Sequence, residues 1–150
     1  MTEAIRQGDI PGVQLRRRQA LAVPPAEAWR WLSEPDRLAQ WLAGQAQMTE
    51  GMSEGELLLT GEGFRERGRT VEIVEPKLWV LAFERLDSGW NATTRLTLRV
   101  HALPAGSEVD VLQDGFQRLP LSACLTIWET YRRRWRDALS RLAEVAVPVT

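Results

Sequence analysis

The chain has 150 residues, 44% of them hydrophobic and 26% charged, with 19 basic and 20 acidic side chains and a formal net charge of -1. That length suits one domain with one sizeable core; the composition is globular, and a near-neutral balance supplies no field that would draw the chain to nucleic acid or to an anionic membrane. Cys124 is the only cysteine and His101 the only histidine, which excludes an internal disulfide and leaves no cysteine cluster or HExxH spacing for a metal.

From Val13 to Val23 the apolar residues Val13, Leu15, Leu21 and Val23 fall on odd positions, the period of a half-buried strand. Pro24 and Pro25 end it. Ala28, Trp29 and Leu32 then recur at helical spacing, so a short helix is predicted to run to about Ser33, with proline tolerated in its first turn. Pro35 breaks that pattern, and Asp36 to Leu42 resumes it as a second short helix carrying Leu38, Trp41 and Leu42. A weak strand is expected over Gln45 to Thr49, followed by a loop to Gly55. Glu56 to Thr60 and Arg69 to Glu75 read as strands flanking a hairpin whose tip includes Gly61 and the segment Phe64 to Gly68. Lys77 to Leu86 is almost continuously apolar, as a central strand would be, with Asp87, Ser88 and Gly89 as its turn. Thr93 to His101 alternates: Leu96, Leu98 and Val100 share one face, and Arg95, Thr97, Arg99 and His101 the other. Pro104 to Gly106 turns the chain into a last strand over Ser107 to Gln113, which carries Val109 and Val111 inward.

After Pro120 the period changes from 2 to 3.6. Leu121, Cys124, Leu125, Trp128, Tyr131, Trp135, Ala138, Leu139, Leu142 and Val145 share one face, predicting a single helix over residues 121–146. The fold class is therefore α+β: a curved antiparallel sheet of six or seven strands, two short helices after the first strand, and a long C-terminal helix. One domain is expected over 1–150, with its core at about 13–146.

That order resembles the helix-grip layout shared by START-like, birch-pollen-allergen-like and polyketide-cyclase-like proteins. Val23-Pro24-Pro25-Ala26-Glu27-Ala28-Trp29-Arg30-Trp31-Leu32-Ser33-Glu34-Pro35, with Leu38 and Trp41-Leu42 after it, resembles the opening of bacterial homologues of the heat-shock-protein-90 ATPase activator. Val71 to Pro76, Trp79 to Phe83, Arg95 to Leu98, Val109 to Phe116 and Trp135 to Leu142 are similar to later segments of that family, in the same order. The resemblance implies a binding role for small hydrophobic ligands in many members and catalysis in some. The apolar alternation of three strands facing the aromatic helix stripe favours a non-enzymatic container for a small hydrophobic or amphipathic ligand, and no cofactor motif is present. The alternatives are a cyclase, dehydratase or hydrolase using the same cavity, or an interaction module touching a chaperone. A homodimer is allowed.

The expected ligand-binding residues lie on inward faces: Arg17 and Gln19 on the first strand, Trp29 and Trp41 on the short helices, and Trp79, Leu81 and Phe83 on the central strand. Leu96, Leu98, Val109, Val111 and Gln113 follow on the last two strands, and Trp128, Tyr131 and Trp135 on the long helix. Indole rings offer apolar area with one N–H donor, and they fill cores as readily as they line pockets. An inward Arg17 needs a counter-charge, from a ligand carboxylate or phosphate or from a rim glutamate such as Glu56. Gln113 orients but does not titrate. His101 belongs to the wet face, and no catalytic or metal residue is assigned. Arg132, Arg133, Arg134 and Arg136 point in different directions on a helix and read as an ion-paired flank. The opening residues lack a signal-peptide pattern and no apolar run approaches about 18 residues, so a cytoplasmic protein is expected.

Overall fold

The computed structural model describes residues 8–49, 55–86 and 92–148. Seven strands form one antiparallel sheet, in the order β1-β7-β6-β5-β4-β3-β2. They are β1 (Gln14–Leu21), β2 (Gln45–Met48), β3 (Glu56–Gly61), β4 (Phe64–Val74), β5 (Leu78–Arg85), β6 (Thr94–Leu103) and β7 (Gly106–Asp114). The helices are α1 (Pro25–Ser33), α2 (Pro35–Trp41) and α3 (Cys124–Val145). This is the expected α+β helix-grip architecture. Among the described residues no helix is long and apolar enough to cross a membrane. The predicted turn at Asp87 to Gly89 and most of the loop before Gly55 lie outside the described residues.

The register fixes which side chains meet α3. Gln113 stands opposite Leu15 and Leu96, and Val111 opposite Arg17 and Leu98. Leu81 lies opposite Leu96 and Thr70, and Phe83 opposite Gly68. Paired residues share a face, so these rows form one inner surface. Gly68 is needed there: a Cβ would come within 2.8 Å of Leu81 Cδ2 and 3.3 Å of Phe83 Cδ1, so the missing side chain makes room for both.

Two boundaries differ from the sequence reading. β4 begins at Phe64 rather than Arg69, because Phe64, Glu66 and Gly68 alternate with Arg65, Arg67 and Arg69. A charged segment reads as a turn by composition but has strand period. The tip is only Glu62 and Gly63, with Gly63 in the left-handed region at φ 82°. α3 starts at Cys124, and Leu121 and Leu125 are exposed rather than packed, at 90% and 56%; their apolar phase continues beyond the end of the sheet. With 22 residues α3 is about 33 Å long.

Candidate functional site

Every predicted apolar site residue is buried. None of Trp29, Trp41, Trp79, Leu81, Phe83, Leu96, Leu98, Val109, Val111, Trp128, Tyr131 and Trp135 exceeds 5% exposure. The structure brings part of this set together beneath the middle of α3. Trp135 stands 6.5 Å from Trp41, and Tyr131 lies 6.3 Å from Phe83 and 5.9 Å from Phe116, ring centre to ring centre.

Four indole donors, those of Trp41, Trp79, Trp128 and Trp135, are engaged. Trp135 Nε1 donates to Gln113 Oε1 at 2.9 Å, and Gln113 Nε2 donates to Thr94 Oγ1 at 3.0 Å. Both Gln113 and Thr94 are buried, so this chain satisfies polar groups that would otherwise be costly. Elsewhere Trp41 donates to the Trp31 carbonyl (3.0 Å), Trp79 to Thr70 Oγ1 (2.9 Å) and Trp128 to the Gln14 carbonyl (2.7 Å). Trp128 and Trp79 are thereby tied to the flanks. Arg17 and Gln19 also lie apart, at the β1 edge. Arg17 pairs with Asp9 at 2.7 Å, not with Glu56, which is 3.4 Å from Arg69. Chain direction explains this: the segment before β1 folds back beside Arg17, whereas Glu56 starts a strand near the opposite edge. His101 is exposed, 3.8 Å from Asp110. Burial alone would raise Asp110, but its hydrogen bonds from Arg16 and the charges of Arg16, Arg18 and His101 hold its carboxyl below the ordinary value.

The chemical centre of the interior is a residue that sequence reading leaves in a hairpin tip. Glu66 is 1% exposed. Tyr131 Oη and Arg134 Nη1 both donate to its Oε2, while among the described residues Oε1 has no hydrogen-bond partner. Tyr131 and Arg134 are three residues apart on α3, so both project toward one strand. Arg134 is therefore not part of the ion-paired flank, to which Arg132 belongs through its pair with Glu129 (2.6 Å). Its guanidinium also lies 4.0 Å over the Phe64 ring, a cation–π contact that covers the Glu66 pair from the β3–β4 side. Arg85 stands opposite Glu66 in register.

This arrangement fixes the phenol's protonation. Burial, reinforced by the Glu66 charge and opposed by Arg134 and Arg85, pushes Tyr131 well above its usual value of 10.0. A raised folded pKa means that this group's stabilisation is complete below the unfolded value of about 10 and is lost as pH rises through the folded one. Tyr131 is the only tyrosine of the chain, so tyrosinate absorbance reports it alone. The expected titration shows no tyrosinate up to pH about 10, then a signal that appears together with unfolding. A midpoint at or below that value in the folded protein would contradict the buried Tyr131–Glu66 bond.

Two openings flank the site. One of about 100 Å³ is bordered by Glu66, Leu59, Leu86, Gln45 and Gln47. The other, about 260 Å³, lies between the end of α2 and the β3–β4 hairpin, against Phe64, Leu42 and Arg141. Arg141 donates to the Trp41 carbonyl at 3.2 and 3.0 Å, holding the end of α2 against α3.

Comparison with solved structures supports the fold. A Chromobacterium violaceum protein superposes with a TM-score of 0.71 at 20% identity, covering 91% of this chain and 99% of its own. A Mycobacterium smegmatis protein gives 0.73 at 11% identity, with 95% and 96% covered. An HSP90 activator from Plasmodium falciparum gives 0.72 at 15%, with 89% and 95% covered. No curated protein matches the chain. By the match of residues 22–146 to its model, the chain belongs to the family described as activator of Hsp90 ATPase homolog 1-like protein.

Proposed function

We propose that this protein binds a small amphipathic molecule between the sheet and α3, with the polar head on Glu66 and the apolar body against Phe64, Phe83 and Trp41. The observation that carries this reading is the unpartnered Oε1 of Glu66 in a residue only 1% exposed. A buried acceptor without a donor costs about 1–3 kcal/mol, more when charged, and a ligand amine or hydroxyl would recover it. The opening beside Glu66, about 100 Å³, is too small for a decyl chain. A larger body therefore enters as Phe64 and the β3–β4 hairpin swing outward, which joins the two openings.

Decylamine and decanol carry a donor head; decanoate carries only an acceptor at neutral pH. Below their micelle concentrations, the first two are expected to quench tryptophan fluorescence saturably and decanoate is not. Glu66→Gln should weaken decylamine by about tenfold or more, a loss of at least about 1.4 kcal/mol. Absence of saturable uptake, or equal affinity in Glu66→Gln, would end this reading. The exposed Leu121 and Leu125 at the start of α3 favour a second reading, an interaction module, which predicts no uptake of any of the three.

A further inference from the structure

Arg17 and Gln19 take no part in the Glu66 site, and they border a separate cleft. β1 is the outer strand of the sheet, so alternate residues turn their backbone N–H and C=O away from β7. At Arg16 both are taken: its N–H donates to Asp9 Oδ1 at 3.0 Å, and its carbonyl accepts from Arg17 Nη1 at 2.6 Å. Arg17 Nη1 donates to the same Asp9 oxygen at 2.7 Å. The β1 edge thus already holds one carboxylate, and it does so with a strand N–H and a guanidinium.

Two residues on, the Arg18 N–H faces the same way and has no acceptor among the described residues. At that point a cleft of about 250 Å³ opens between β1 and α3, lined by Arg17, Arg18, Gln19, Arg136, Leu139 and Ser140. Arg17 and Arg136 bring guanidiniums to it and no carboxylate lines it, while the Arg18 side chain turns to the outer face toward Asp110 and offers the cleft its backbone. The nearby acids are engaged by these and neighbouring arginines: Asp9 by Arg17, Asp137 by Arg136 at 3.0 Å, and Asp110 chiefly by Arg16 at 2.6 Å, with Arg18 at 3.8 Å. Arg17 is only 7% exposed, and among the described residues Nη1 alone of its nitrogens donates to the protein. The Gln19 amide donates to the Ala20 carbonyl at 3.1 Å.

We propose that this cleft is an oxyanion site. A carboxylate or phosphate group sits one step along the edge from Asp9, on the Arg18 N–H and the guanidiniums of Arg17 and Arg136, with the Ser140 hydroxyl as a further donor. Guanidinium forks with a backbone N–H match the planar or tetrahedral oxygens of such groups, and Leu139 gives the rest of the ligand an apolar wall.

Inorganic phosphate is the probe, titrated against chloride at constant ionic strength and followed by backbone amide NMR. Saturable shifts are expected at Arg18, Gln19 and Ser140, and acetate should compete for them if the site takes both classes of oxyanion. The Arg136 side chain is more than half exposed, so Arg136→Gln preserves the fold; it should weaken phosphate by about tenfold or more. Glu66→Gln should leave phosphate affinity unchanged, because the two sites are separate. Linear shifts, shifts reproduced by chloride, or unchanged affinity in Arg136→Gln would overturn the site.

Discussion

Trp135→Ala is expected to lower the free energy of unfolding by about 3–5 kcal/mol, among the largest effects of any single side chain here. The indole is 2% exposed and stands at the centre of the interior, between Trp41 and the Gln113 amide. Its removal forfeits the transfer energy of the ring and leaves a void that the paired strands of the sheet cannot collapse into. It also strands Gln113 Oε1 without a donor. Trp135→Phe separates these contributions: most of the apolar area survives while the N–H does not, so a loss of about 1–2 kcal/mol is expected. Adding Gln113→Leu should return part of that loss, since both polar partners are then gone. Urea unfolding midpoints at constant slope measure all three. A cost below about 1 kcal/mol for Trp135→Ala would mean that the ring borders open space in solution.

The layout of the fold was legible because its signals are periodic. The alternation at Thr93 to His101 and the shift to helical spacing after Pro120 place β6 and α3 within three residues of their observed ends. The inward faces of Val109, Val111 and Gln113 follow from the same alternation. Glu66 was not legible by composition, because a glutamate among three arginines looks like a solvated turn. The signal was present in another form: Arg65, Arg67 and Arg69 all have the same parity, which leaves Phe64, Glu66 and Gly68 on the opposite face. Two of those arginines pair along the outer face, Arg67 with Glu84 at 3.2 Å and Arg69 with Glu56 at 3.4 Å. Arg134 was misread for a related reason. Helical phase places it next to Tyr131, but a cation on an apolar face makes sense only when its buried counter-charge is known. The partner of Arg17 was hidden differently, since Asp9 lies before β1 in a segment with no periodicity to place it.

The second large effect concerns the buried pair at Glu66. Arg134→Met is expected to cost about 3 kcal/mol, at the low end for breaking a buried ion pair because the arginine is 16% exposed and part of its charge already meets water. It leaves Glu66 with Tyr131 as its remaining donor. Glu66→Leu should cost less, about 1–2 kcal/mol, because the freed guanidinium keeps its place over Phe64 and can reach solvent past the Leu42 carbonyl. In the double variant the charges are gone together, and an apolar pair of similar volume is expected to lie within about 1 kcal/mol of the parent. The two substitutions would therefore be strongly non-additive, with a coupling of about 3 kcal/mol or more in the direction of rescue. A double variant as unstable as Arg134→Met alone would show that the pair is held for packing rather than for charge. With stability restored, the same double variant tests why the pair exists at all. On the ligand reading proposed above, the carboxylate is kept for binding, and the double variant should fold like the parent while decylamine no longer saturates it.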